Sequence, residues 1–138
     1  MFKRIMAVAG FAFIGGALRE ELELWLPFTT QWFGTTICIN IIGAFLLAMV
    51  NFWVAERFAL PSEIILGLGT GLIGAFTTFS SFSLESFRLF SSGHQFFSLI
   101  YILLSIGIGV FAAWAGQAFA TYLLTQRTDK QNSGEQDD

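Results

Sequence analysis

The sequence predicts an all-α integral membrane protein with four transmembrane helices per subunit, and three observations carry that prediction. Only 12% of the 138 residues are charged and 54% are hydrophobic, whereas a soluble chain has roughly a quarter of its residues charged. Residues 25–55, 64–84 and 89–126 hold no Asp, Glu, Lys or Arg, and each run is long enough for a helix to cross a hydrocarbon core about 30 Å thick. The chain has a single cysteine, Cys38, and a formal charge of −3, which excludes a disulfide-stapled secreted domain and a nucleic-acid binder built on a basic surface. A lipid bilayer is the partner that this composition demands.

The first span is expected at about residues 4–26. Its apolar run, 5–18, follows Lys3 and Arg4 and contains Gly15-Gly16-Ala17, the outline of a signal peptide. The helical pattern nevertheless continues through Arg19, Glu20, Glu21 and Glu23 until Pro27 stops it, which favours a span. Arg19 must then snorkel to the interface or face a wet cavity.

The second span is expected at about 32–55, with Trp32 and Trp53 at interfacial depth. Thr36, Asn40 and Gly43 fall on one face, and Asn40 in mid-span must find a partner in the protein or in a permeant species.

The third span, about 62–90, is the most informative. Residues 71–83 place five hydroxyl side chains beside Gly74, so this helix is expected to be broken near mid-bilayer. Loosened backbone at that depth is tolerated only inside protein or along a polar cavity. Phe76, Phe79 and Phe82 recur every three residues, and Thr77, Ser81 and Glu85 every four. A column of ring edges beside hydroxyl donors could hold a small anion without a fixed positive charge; the same spacing also fits a packing face. Glu63 opens the span where the helix dipole favours an acid. Glu85 and Arg88, at i and i+3, fit a local ion pair, and His94 reads as a solvated loop residue.

The fourth span, about 95–124, sets Ser98, Tyr101 and Ser105 on one face. Residues 1–125 thus form one transmembrane domain, and 126–138 read as a disordered acidic tail holding Asp129, Glu135, Asp137 and Asp138. Four spans put both termini on one side. Lys3, Arg4, Arg57, Arg127 and Lys130 collect there against Arg19 and Arg88 on the other, a weak bias toward a cytoplasmic N-terminus. No His or acid is placed to activate a serine and no metal-ligand cluster is visible, so no enzyme is expected.

Three motifs resemble the CrcB/Fluc fluoride channels: Gly15-Gly16-Ala17-Leu18-Arg19, the stretch from Gly34 to Gly43 containing Asn40, and the stretch from Gly71 to Phe82. The resemblance covers about residues 4–120. It implies a multi-pass protein of the bacterial inner membrane that passively exports fluoride, as an antiparallel dual-topology homodimer with two pores and a structural sodium ion at its centre. By the same resemblance Phe79 and Phe82 look like the pore phenylalanines and Asn40 like the amide lining each pore. Ser81, Tyr101 and Ser105 resemble a polar track, Arg19 a vestibule arginine and Glu85 an acid near the far end of the pore. Gly74 and Thr77 would offer backbone carbonyls to sodium. Gly109, Ala112 and Ala113 depart from the family's longer hydroxyl track, and the asymmetry of basic residues is large for a chain that inserts both ways.

The alternative is a proton-coupled small multidrug or guanidinium exporter, also of four spans. Such an exporter needs a carboxylate deep in the first span, and residues 5–18 hold none.

Overall fold

The computed structural model describes residues 1–25 and 34–134, with side chains as far as Arg127. The expectations for Pro27 and Trp32, and for the last four residues, lie outside the described residues. Everything else with regular structure is helical, with no strand among the described residues.

Helix α1 spans Phe2–Trp25. Helix α2, Gly34–Phe58, contains a π-helical turn at Val50–Val54 and ends where Ala59 takes the left-handed conformation, φ 45°, the usual way to close a helix, though glycine is the commoner residue there. Helix α3 covers Ser62–Ser91 in two arms, residues 62–76 and Phe79–Ser91, and the first arm carries a second π-helical stretch, Gly67–Ile73. Gly93, at φ 81°, turns the chain into α4, Gln95–Gly134. That helix runs on beyond residue 126, where the sequence places the start of the tail.

Among the described residues, three helices are long and apolar enough to cross a membrane: Gly34–Phe58, Ser62–Ser91 and Gln95–Arg127. Helix α1 is 24 residues long but is diluted by Lys3, Arg4, Arg19, Glu20, Glu21 and Glu23. Among the described residues the large buried side chains are few, chiefly Ile39, Ile73, Phe76 and Tyr101, while large apolar residues cover the outside. That inversion of the soluble pattern belongs to a protein solvated by lipid.

Glycine decides how closely the helices approach. On α1, Gly15 faces the main-chain carbonyl of Leu72, and a Cβ on Gly71 would stand 2.6 Å from the carbonyl oxygen of Val8, so α1 lies almost backbone to backbone on the first arm of α3. A Cβ on Gly116 would meet the Phe45 carbonyl oxygen at 2.6 Å, bringing α4 equally close to α2. Gly16, Gly107 and Gly109 face open space. At one end of the bundle Arg4 pairs with Glu63 at 3.8 Å and donates to Ser62 at 3.4 Å, tying the start of α1 to the start of α3.

Candidate functional site

The site is built around two residues of α3 that leave the helix. Thr77 has φ −77° and ψ 158°, Thr78 φ −141° and ψ 116°, and both values are extended. Local chemistry favours the departure. The Thr77 hydroxyl donates to the Ile73 carbonyl at 3.0 Å, joining the Thr77 N–H at 2.9 Å, and β-branched residues sit well in extended backbone. Thr78 then caps the second arm, its Oγ1 accepting the Ser81 N–H at 3.2 Å.

Leaving the helix strips Thr78 of its helical partners, and α2 supplies replacements. Asn40 Oδ1 accepts the Thr78 N–H at 2.9 Å, and Asn40 Nδ2 donates to the Thr78 carbonyl at 3.0 Å. The partner that Asn40 requires is therefore main chain. One N–H of the side-chain amide is used in this pair and the second is not. Gly43, one turn along α2, faces the Thr77 methyl with no room for a Cβ, so α2 presses on the extended segment at two successive turns.

The extended pair also divides the two stripes expected along α3. Phe76 is buried and leaves the aromatic column, and Thr77 turns its hydroxyl back to the first arm instead of joining Ser81 and Glu85. Phe79 and Phe82 stay together, ring centroids 5.8 Å apart, and Phe82 stacks on Tyr101 of α4 at 5.5 Å. Phe79 is 79% exposed.

Glu85 corrects the ion-pair expectation. Among the described residues it forms no salt bridge with Arg88, which is exposed. Its carboxylate instead accepts the Thr36 hydroxyl at 2.6 Å and the Tyr101 hydroxyl at 2.5 Å, joining α2, α3 and α4. Thr36 and Tyr101 are 5% and 7% exposed, so this acid is held by two buried neutral donors. Helical spacing could not reveal the pairing, because both donors come from other helices.

The remaining predicted residues divide between this seam and other places. The Ser81 hydroxyl accepts from Thr78 Oγ1 at 3.1 Å. Ser105 lies one turn beyond Tyr101 on the same face of α4, its oxygen shielded from solvent and without a hydrogen-bond partner among the described residues. Ser98 is interhelical glue, donating to the Ser86 carbonyl at 2.8 Å. Arg19 pairs along α1 with Glu23 at 3.7 Å. Thr78 is the member of the site that sequence reading missed; its signal is a Thr three residues before Ser81 that can cap a new helix start.

Beside the extended pair lies a cleft of about 320 Å³, walled by Asn40, Gly43 and Leu47 of α2 and by Gly69, Gly74 and Phe79 of α3. The carbonyls of Gly74 and Thr77 have no backbone N–H partner among the described residues; that of Gly74 accepts the Thr77 hydroxyl at 3.4 Å. Hydroxyls, one amide, an aromatic ring and main-chain carbonyls thus line a cleft from which fixed cationic side chains are absent among the described residues.

Membrane-length helices define a multi-pass membrane protein, with a cleft between α2 and α3 lined in part by polar residues. Residues 6–117 match the family described as CrcB-like protein, Camphor Resistance (CrcB), and the chain belongs to that family. It is 41% identical over 122 residues to the fluoride-specific ion channel FluC 2 of Lactiplantibacillus plantarum, covering 88% of this chain and 95% of that one. It is 40% identical to FluC 1 of Lactobacillus delbrueckii subsp. bulgaricus, over 87% and 90% of the two chains. The fluoride-specific ion channel FluC of Pseudomonas fluorescens is 35% identical, over 84% and 95%.

Proposed function

We propose that the protein is a fluoride-selective passive channel that lets fluoride leave the cytoplasm across the bacterial inner membrane. It works as an antiparallel, dual-topology homodimer of four-span subunits with two pores, and the extended pair in α3 sits near mid-bilayer. The observation that carries this reading is the placement of Phe79. A phenylalanine 79% exposed in the single subunit, lining a cleft shared with Asn40 and Thr78, is an aromatic ring available to an occupant. The relatives named as fluoride-specific channels point to the occupant.

Fluoride is small and tightly hydrated, so a pathway must replace its water without trapping it. Asn40 offers its unused N–H, Phe79 and Phe82 offer ring edges, and Ser81, Tyr101 and Ser105 offer hydroxyls. All are moderate ligands. Arg19 guards the vestibule, and Glu85 stands near the far end, its charge moderated by Thr36 and Tyr101.

A structural sodium ion at the dimer centre suits the carbonyls of Gly74 and Thr77, which lack a backbone N–H partner among the described residues, since neutral main-chain oxygens at a helix interruption are ligands for such a cation. Bound there, sodium would supply a fixed positive charge on the two-fold axis.

The test is reconstitution in liposomes with a fluoride electrode in the bath. Fluoride release that follows the fluoride gradient, persists without a proton gradient and excludes chloride is the expected result. Release that requires an imposed proton gradient overturns the channel reading.

A further inference from the structure

We infer that Asn51 is a second amide station on the anion's route, receiving a small hydrated anion at the margin of the cleft on the side away from Glu85. The inference rests on the channel reading above and adds to it a residue that lies outside all three resembling motifs.

Helix α2 begins beside Glu85, where Thr36 donates to it, and passes the extended pair at Asn40. It then lines the cleft with Gly43, Ala44 and Leu47. Asn51 follows Asn40 by three helical turns. At about 100° and 1.5 Å per residue that is the same face, about 16 Å further along the axis.

The contacts agree with this count. Leu47 Cδ1 and Asn51 Oδ1 lie 3.4 and 3.9 Å from the position a Cβ would take on Gly69, and Gly69 is itself a wall of the cleft. Leu47, Asn51 and Gly69 therefore meet where the cleft ends. Asn51 is exposed and has no hydrogen-bond partner among the described residues, in a helix otherwise apolar enough to cross the membrane. Two residues before Trp53, a residue of the kind found at interfacial depth, its amide is within reach of water, where a hydrated anion is met. It also falls within the π-helical turn Val50–Val54, and single π turns recur at functional sites.

An amide suits this position for the same reason it suits Asn40. Its N–H groups can stand in for part of an anion's hydration, and without formal charge they release it again.

The test measures fluoride flux from liposomes at low and at high fluoride, using the full chain with Asn51→Leu, Asn51→Asp and Asn51→Gln. Loss of one donor should lower the flux of Asn51→Leu at low fluoride by about threefold to tenfold, with flux at high fluoride nearly kept. Asn51→Asp should fall further because its carboxylate repels the anion, and Asn51→Gln should recover most of the loss. Flux that keeps the wild-type dependence on fluoride in both Leu and Asp variants overturns the inference. So does an equal loss at all concentrations, which marks a structural role, or a weakened dimer with unchanged flux per dimer, which assigns the amide to subunit contact. Absence of flux in the wild-type protein is a separate result that sinks the channel reading itself.

Discussion

The side chain of Asn40 pairs with the main chain of Thr78 as one strand pairs with another: its oxygen accepts the N–H at 2.9 Å and its nitrogen donates to the carbonyl at 3.0 Å. An amide is the side chain that can complete both bonds at once. Asn40 therefore secures the extended segment beside the cleft that it lines, and on the channel reading its loss should cost stability and flux together.

Asn40→Ala leaves the Thr78 N–H and carbonyl unpaired, and Asn40→Asp sets a carboxylate against that carbonyl. Either should lower stability by about 1–3 kcal/mol and abolish fluoride flux. Thermal unfolding in detergent beside the liposome assay checks both effects. A wild-type melting curve for Asn40→Ala would show that the pair carries no stability.

The two phenylalanines should separate. Phe79→Ile and Phe82→Ile are both expected to cut flux at least about tenfold, a loss of about 1.4 kcal/mol in the pathway. Both lose the contact between the two rings, but Phe82→Ile should reduce stability by roughly 0.5–1.5 kcal/mol more, because it also forfeits stacking on Tyr101. Size-exclusion chromatography confirms that the assembly survives; undiminished flux in both variants would reduce the aromatic pair to packing.

Glu85 and Tyr101 should be energetically coupled. A double-mutant cycle of Glu85→Gln and Tyr101→Phe, read by unfolding, is expected to give an interaction of about 0.5–3 kcal/mol. Arg88→Ala, which touches neither hydroxyl, should leave the cycle unchanged. Coupling of Glu85 to Arg88 in place of Tyr101 would restore the i, i+3 pair.

Neighbouring glycines on α1 should behave differently. Gly15→Ala drives a methyl into the Leu72 carbonyl, a main-chain atom that cannot turn aside, and overpacking of this kind costs about 1–3 kcal/mol. Gly16→Ala meets nothing and should be silent or slightly stabilising through helix propensity. Thermal shift of the two single variants decides it.

Thorough removal of sodium should loosen the dimer or stop flux, and readdition should restore both. Fluoride flux and cross-linking yield that ignore sodium would remove the ion from Gly74 and Thr77.

The positions of α2, α3 and α4 were legible because charge-free runs of membrane length admit little else. What crosses between helices was not. Helical periodicity reports which residues of one helix share a face, so it offered Arg88 as the neighbour of Glu85, and it drew Phe76 and Thr77 into stripes that the extended pair divides. The partner of Asn40 depends on the height of α2 against α3, where Gly43 stands on the Thr77 methyl. Gly15 and Gly16 look identical in the sequence; their difference lies wholly in what stands opposite.

The extended conformation of Thr77 and Thr78 has an electrostatic consequence. An unbroken helix shows its partial charges only at its two ends. Interrupting α3 places a carbonyl-bearing, electronegative end at Phe76 beside an electropositive N–H end at Phe79, within residues 64–84, which hold no ionisable carboxylate, ammonium or guanidinium. Both signs are thus available a few ångströms apart, and neither depends on a proton that can be gained or lost. This pair of partial charges should therefore keep its strength across pH as long as the helix arms stay folded.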